Sequence, residues 1–390
     1  MTDFAVELNL PPNKSQLIRS LALAYISGLK YPIENNWPND AKIMHAACFG
    51  DSQTKDFEDA GTPLRFMVAL LSSNENGNIL TGCDSLKNRP LEPLLLCLEL
   101  LGAQFQYIEK PHCIPLKITK TIDPFSECFI NGNDSSQFVS AIVLLACTQK
   151  TDVKINYTIN GSSNYLKQTI DTIANSGIHV IEGENKITIK NTYKGLSIVK
   201  NGESDFSSLA FLMNLAAKTG KTYQVQGLSL NSIQADKRVI DIYSQIGFKI
   251  NFNKDICVFS YNSNGLTNIT VDIKECIDLG PALMAICGFL NIELTLDGWK
   301  KLEQKESNRV LAMQTNLDPL GIKIIKEENR LVVRGRWNLT EPQIISFNDH
   351  RVVMAMSLFS QSFPVITNNA ECVNKSFPNY WEEFKKILEY

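Results

Sequence analysis

The stretch Leu98–Tyr107, LELLGAQFQY, ends an apolar helical pattern on Gly102 and begins an alternating one at once. The same change recurs at Ile173–Glu182 (IANSGIHVIE), Tyr243–Phe252 (YSQIGFKINF) and Leu317–Lys326 (LDPLGIKIIK). The four glycines, Gly102, Gly177, Gly247 and Gly321, lie 75, 70 and 74 residues apart. Glycine directly after an amphipathic helix supplies a left-handed C-cap that other residues adopt reluctantly. A fixed period of this length predicts one supersecondary unit copied along the chain.

The other half of each unit is a polar cluster that runs straight into an apolar helix. The clusters are Asn13-Lys14-Ser15, Ala60-Gly61-Thr62, Ser135-Ser136-Gln137, Asp205-Phe206-Ser207, Asp278-Leu279-Gly280 and Asn348-Asp349-His350-Arg351. The helices behind them, such as LRFMVALLS, FVSAIVLLA and ALMAICGFL, are apolar nearly all round and therefore buried on most sides. Alternating helices and strands predict α/β or α+β layers. Crossing points near Pro11-Pro12 and Asn201-Gly202-Glu203 divide the six starts into two sets of three. The expected domains are residues 13–203 and residues 1–12 with 204–390, the opening strand FAVELNL pairing in the second.

The chain has 390 residues, 44% hydrophobic and 20% charged, which is an ordinary globular composition. Its 38 Lys and Arg against 41 Asp and Glu give a net charge of −3, which opposes a nucleic-acid binder. Any basic site must be local. Ten cysteines form no CxxC pair and no zinc-like cluster, so no metal is expected and a reducing cytosol fits. The start lacks the basic and apolar regions of a signal peptide, and no apolar run spans a bilayer. A cytoplasmic monomer without a membrane partner is expected.

Several clusters invite anion chemistry. Lys14 stands at a helix start, where free N–H groups already favour an anion, and Ser15 and Arg19 share a face one turn on. An Asn-capped, merely solvated turn accounts for the same residues. Ser135, Ser136 and Gln137 form an oxyanion candidate, although one Ser is explained by capping. In DAGTPLR, Gly61 permits close backbone approach, and Arg65 reads as structural. Lys305 and Arg309 read as one turn apart on a helix, with Glu306 beside Arg309. NDHR (348–351) abuts a helix that must be buried, and His350 is not read as a base. Together Lys14, Arg19, Arg89, Lys305, Arg309, Arg351 and Lys375 stand beside turns or helix starts, with Asp278 and Glu306 available for proton transfer.

These motifs, in this order, resemble the 5-enolpyruvylshikimate-3-phosphate synthases. The resemblance runs through NKSQLIR (13–19), DAGTPLR (59–65), TGCDSLKNRP (81–90), SSQF (135–138), Ser162 to Tyr165, SDFSSLAF (204–211), KESNR (305–309), NDHR and KSFPNYW (375–381). It implies a two-domain fold, each domain of three repeated strand-helix units in an inside-out α/β barrel, with the active site in the interdomain cleft. It implies transfer of the enolpyruvyl group of phosphoenolpyruvate to the 5-hydroxyl of shikimate-3-phosphate, without a cofactor; because Gly61 has no side chain and leaves room in that pocket, glyphosate is expected to compete with phosphoenolpyruvate. Shikimate-3-phosphate is then expected on Lys14, Ser15, Arg19, Ser135, Ser136, Gln137, Ser162, Tyr165, Asp278 and Lys305. Phosphoenolpyruvate is expected on Lys14, Gly61, Arg89, Gln137, Arg309, Arg351 and Lys375. Lys14, Asp278 and Glu306 are the expected proton-transfer residues.

The chain departs from the family in places. Asp59 and Pro63 stand where Asn and Ala are usual, KESNR replaces the commoner Lys-Glu-Thr-Asp-Arg, Lys301 stands where some relatives bind substrate with Asn, and Ser85 replaces an Arg. The related transferase acting on UDP-N-acetylglucosamine is disfavoured because Lys14 is followed by Ser15. An RNA-end cyclase, which shares the repeat, is disfavoured by the acidic balance.

Overall fold

The computed structural model of the chain describes residues 5–74, 77–161, 163–191 and 203–389. The chain forms two compact units, one of Lys14–Asn201 and one of Met1–Asn13 with Gly202–Tyr390. At the crossing, Pro12 bridges Ser204, the Asn13 N–H donates to the Glu203 carbonyl at 2.9 Å, and the Asp205 N–H donates to that of Pro11 at 3.0 Å.

The chain opens with β1 (Val6–Leu8), α1 (Lys14–Ile26) and α2 (Asn39–Phe49). A complete copy of the repeat follows: β2 (Thr54–Asp56), α3 (Gly61–Leu71), β3 (Ile79–Thr81), a short α4 (Asp84–Lys87), α5 (Glu92–Leu100), β4 (Gln104–Tyr107) and β5 (Leu116–Lys120). The next is β6 (Glu127–Asn131), α6 (Ser136–Ala146), β7 (Val153–Thr158), α7 (Ser163–Asn175), β8 (His179–Gly183) and β9 (Lys186–Lys190). In the other unit, β1 is completed by α8 (Phe206–Thr219), β10 (Thr222–Val225), α9 (Val239–Ile246), β11 (Phe248–Asn253) and β12 (Ile256–Tyr261). Then come β13 (Asn268–Asp272), α10 (Gly280–Leu290), β14 (Glu293–Asp297), α11 (Arg309–Leu317), β15 (Ile322–Lys326) and β16 (Arg330–Gly335). The chain closes with β17 (Gln343–Ile344), α12 (His350–Met356), β18 (Val365–Ile366) and α13 (Tyr380–Glu389).

Each complete copy builds the same four-stranded sheet. Its first two strands are parallel, and its last two form an antiparallel hairpin whose second strand pairs with the second strand of the copy. The orders are β2-β3-β5-β4, β6-β7-β9-β8, β1-β10-β12-β11 and β13-β14-β16-β15. The opening strand therefore pairs with β10, Val6 opposite Tyr223 and Leu8 opposite Val225. The six copies are not equal. Among the described residues, the α1–α2 copy has no sheet of its own, and the last copy has only the two-stranded parallel pair β17-β18. The linker Ser27–Pro38 explains the first case: it carries Pro32 and Pro38 and no alternating run, so it cannot supply a ladder.

The apolar leading helices form the centre of each unit. In one, α3 packs on α1, α2 and α6; in the other, α8, α10 and α12 touch one another. Every residue of α3 except Thr62, and every residue of α6 except Gln137, is buried. The four period glycines all adopt positive φ: 101° at Gly102, 98° at Gly177, 118° at Gly247 and 85° at Gly321. These are the conformations that end each second helix and start the hairpin. Among the described residues no helix is long and apolar enough to cross a membrane.

Gly247 is held twice, by its φ and by the Asn262 carbonyl oxygen, which would lie 2.8 Å from an added Cβ. Gly220, the left-handed cap of α8, has open space at the same point. Gly220→Ala should therefore cost only the left-handed penalty of about 1–2 kcal/mol, and Gly247→Ala distinctly more. Equal urea midpoints for the two variants would contradict this account.

Candidate functional site

In the Lys14–Asn201 unit the candidate residues gather at the N-terminal ends of α1, α3 and α6. Lys14 Nζ reaches Asp40 Oδ2 at 3.0 Å. Asp40 opens α2 and is itself buried, a partner that its sequence context, PNDAK, does not announce. Arg19 is buried and donates three bonds to neutral groups: Nε to Thr169 Oγ1 (2.8 Å), Nη1 to the Ser15 carbonyl (2.7 Å) and Nη2 to the Tyr165 carbonyl (2.8 Å). Its guanidinium also lies 5.5 Å from the Phe66 ring centroid. Burial lowers the Arg19 pKa to about 10, partly offset by Tyr165. A cation desolvated to this degree and bonded to neutral groups favours any anion that can reach it.

Gly61 and Arg89 form the clearest anion feature. The Arg89 guanidinium lies where a Cβ on Gly61 would be, against the first residue of α3. Arg89 Nε is shielded from solvent and has no hydrogen-bond partner among the described residues. A positive side chain beside the positive end of a helix is mutually unfavourable until an anion joins them. Beside it, Ser135 caps α6, its hydroxyl accepting from the Gln137 N–H at 3.3 Å, and Ser136 is buried in the same first turn. The Gln137 side chain links the two helix starts: Nε2 donates to Thr62 Oγ1 at 2.9 Å, and Oε1 accepts from Arg65 Nη1 at 2.6 Å. Ser162 lies outside the described residues.

The other unit gathers Asp278, Lys305, Glu306, Arg309 and Arg351. Arg309 is the hub, with its side chain only 1% exposed. Its Nη1 donates to Asp278 Oδ1 (2.8 Å), its Nη2 to Glu306 Oε2 (2.6 Å) and its Nε to Asp349 Oδ2 (2.8 Å). Asp278 also takes Lys305 Nζ at 3.2 Å and Arg351 Nη2 at 3.1 Å. Burial alone would raise the Asp278 pKa; Arg351, Lys305 and Arg309 outweigh it and hold the carboxyl well below the ordinary aspartate range. Burial tends to lower Arg309 and Arg351, and the facing carboxylates raise both instead. Lys305 is lowered, chiefly by burial. Asp349 caps α12 through the Arg351 N–H, so NDHR sets both the cap and the Arg309 partner. Lys375 is buried at the end of a 3₁₀ turn, Ala370–Lys375, that packs on α12.

One sequence reading needs correction. Lys305 and Arg309 are not one turn apart on a helix. Asn308 caps α11, its side chain accepting from the Leu311 N–H at 3.0 Å, so the helix starts at Arg309 and Lys305 is extended. Asp278, not helical spacing, brings the two cations together. A further acid escaped the sequence reading. Asp236, on the 3₁₀ turn Ala235–Arg238, is buried, bonded by the Ser207 hydroxyl, and its turn packs on the turn that carries Asp278. Burial, then the Asp278 charge, pushes it up to about 7 against the pull of Arg351. Its only sequence signal is the short QAD segment.

Because Asp236 titrates at about 7 when folded and at the ordinary value of 3.8 otherwise, the folded state gains protons between these values. Its stabilising contribution is complete below 3.8 and lost as pH rises through 7. Urea unfolding at pH 5 and pH 8 should show the wild type losing more stability than Asp236→Asn over that interval. Parallel losses would remove this assignment.

The sequence model of one family, EPSP synthase (3-phosphoshikimate 1-carboxyvinyltransferase), matches residues 37–384. A 3-phosphoshikimate 1-carboxyvinyltransferase from Clostridium novyi (strain NT) is 30% identical over 341 residues, covering 86% of this chain and 77% of the relative. One from Bacteroides fragilis is 26% identical over 389 residues, covering 97% of this chain and 94% of the relative. The solved EPSP synthase of Acinetobacter baumannii superposes with a TM-score of 0.74 at 22% identity, covering 99% of this chain and 96% of that one. At that identity the superposition speaks for the shared fold.

Proposed function

The chain belongs to the EPSP synthase family, and we propose that the residues of both units described above act on one pair of substrates. The reaction transfers the enolpyruvyl group of phosphoenolpyruvate to the 5-hydroxyl of shikimate-3-phosphate and releases phosphate. The observation that carries the site assignment is the Arg89 guanidinium set against the start of α3 with its Nε unpartnered, an arrangement that asks for an anion.

Both substrates are polyanions, so fixed cations must offset their repulsion. In this reading Lys14, Gly61, Arg89, Gln137, Arg309, Arg351 and Lys375 hold phosphoenolpyruvate. Lys14, Ser15, Arg19, Ser135, Ser136, Gln137, Ser162, Tyr165, Asp278 and Lys305 hold shikimate-3-phosphate. In the addition step the 5-hydroxyl loses its proton as its oxygen bonds to the central carbon of phosphoenolpyruvate, and the methylene carbon gains a proton. In the elimination step the methyl group returns a proton and the carbon–phosphate oxygen bond breaks.

Asp278, Glu306 and Lys14 share these proton transfers, Asp278 at the hydroxyl and Glu306 at the methylene carbon. Asp278 is a weak base while Arg351, Lys305 and Arg309 hold it. Anionic substrates compete for those cations, and each one drawn away returns basicity to Asp278. The substrate thus activates its own base. The enzyme acts as a cytoplasmic monomer in this reading.

Phosphate release from shikimate-3-phosphate plus phosphoenolpyruvate is the decisive measurement, with Lys14→Met as the inactive control. Asp278→Ala and Glu306→Ala should each lower kcat about 100-fold or more. Near-normal turnover in both would sink the proton assignments, and no release by the wild type would sink the reading.

A further inference from the structure

Thr62 and Gln137 are the two residues of α3 and α6 that are not buried, and they are bonded to each other. The direction of that bond is fixed from behind. Arg65 has only donors, so the Gln137 atom 2.6 Å from its Nη1 must be the carbonyl oxygen. The amide nitrogen then faces Thr62 and donates to its hydroxyl oxygen at 2.9 Å. Arg65 is itself locked, with Nη2 on the Pro90 carbonyl at 3.0 Å and its guanidinium 5.3 Å from the Phe138 ring centroid. A Thr hydroxyl that accepts from Gln137 must turn its own hydrogen elsewhere. Among the described residues that hydrogen has no acceptor.

Thr62 is the second residue of α3, next to Gly61 and the Arg89 guanidinium. We propose that the Arg65–Gln137–Thr62 chain is a polarity relay that holds the Thr62 hydroxyl as a donor to a phosphoryl oxygen of the anion bound at Gly61 and Arg89. Arg65 and Gln137 set the direction; Thr62 makes the contact. The inference rests on the phosphoenolpyruvate reading above. It adds Thr62, which the repeat marks only as part of a helix start, as a ligand, and Arg65, which reads as structural in the sequence, as a positioning residue. A hydroxyl at this point distinguishes a phosphoryl group, rich in acceptors, from an uncharged group of similar size.

Thr62→Val keeps the shape and removes the donor; Thr62→Ser keeps the donor. A lost hydrogen bond to a charged oxygen corresponds to about a tenfold weakening. Thr62→Val should raise KM for phosphoenolpyruvate about tenfold and leave KM for shikimate-3-phosphate near the wild-type value, while Thr62→Ser restores both. Arg65→Gln, which permits either amide direction, should raise the same KM, and adding it to Thr62→Val should bring little further loss. An unchanged KM in Thr62→Val, a Thr62→Ser variant as impaired as Thr62→Val, or independent losses in the double variant would each overturn the relay. Calorimetric titration of wild type, Thr62→Val and Thr62→Ser with inorganic phosphate reads the relay without turnover. A tenfold weakening confined to Thr62→Val supports it even if no transfer is found, and equal binding by all three overturns it.

Discussion

The leading helices are apolar on nearly every side, so only their ends can meet solvent. This constraint governs the rest of the molecule. A helix such as α6, buried from Phe138 to Ala146, has no polar face on which to place chemistry. Its unpaired N–H groups must be satisfied at the first turn, and the same turn carries the positive end of the dipole. Burial therefore delivers each polar start already prepared for an anion. The repeat multiplies this effect, and divergence of the starts gives it chemical character.

The two units use that inheritance differently. In the Lys14–Asn201 unit, Arg19 is bonded to neutral oxygens, and the Arg89 guanidinium lies against Gly61 with its Nε unpartnered among the described residues; these two cations are not held by carboxylates there. In the other unit, Arg309 is shared among Asp278, Glu306 and Asp349, and Arg351 and Lys305 share Asp278. Breaking a buried charge network by removing one partner leaves an uncompensated ion at a cost of several kcal/mol. An incoming anion keeps the cations compensated and leaves the cost on Asp278, whose carboxylate loses the partners that hold its pKa down. Under the proposed function, the first set is ready for an anion and the second exchanges one anion for another, which would tie substrate binding to Asp278 basicity.

Much of this was legible in the sequence because its causes are local. A glycine that must adopt positive φ, a polar residue before an apolar run and an Asp cap are properties of a few consecutive residues. Gly102, Gly177, Gly247 and Gly321 behave as their pattern requires. The long-range partners were not legible. Asp40 serves Lys14 from another helix, and Asp236 reaches the Asp278 neighbourhood from another copy. The Lys305–Arg309 spacing misled because four residues mean one helical turn only inside a helix, and Asn308 caps α11 one residue before Arg309. The abbreviated copies misled less: polar starts mark helices well, but they say nothing of whether four strands accompany them.

Arg65 shows where sequence reasoning reaches its limit. Its position in DAGTPLR reads as structural, and it does make structural contacts, with Pro90 and Phe138. Yet its bond to Gln137 decides which end of an amide faces Thr62, and so makes the Thr62 hydroxyl an acceptor on that side. Residue identity specifies how many donors and acceptors are present, whereas their direction follows from the network that joins them. A structural arginine can therefore fix the direction of a hydrogen-bonded amide on another helix. The same logic holds for Asp349, which caps α12 and grips Arg309 with one carboxylate. Under the proposed function, the groups that hold the fold and the groups that orient the chemistry are in part the same groups.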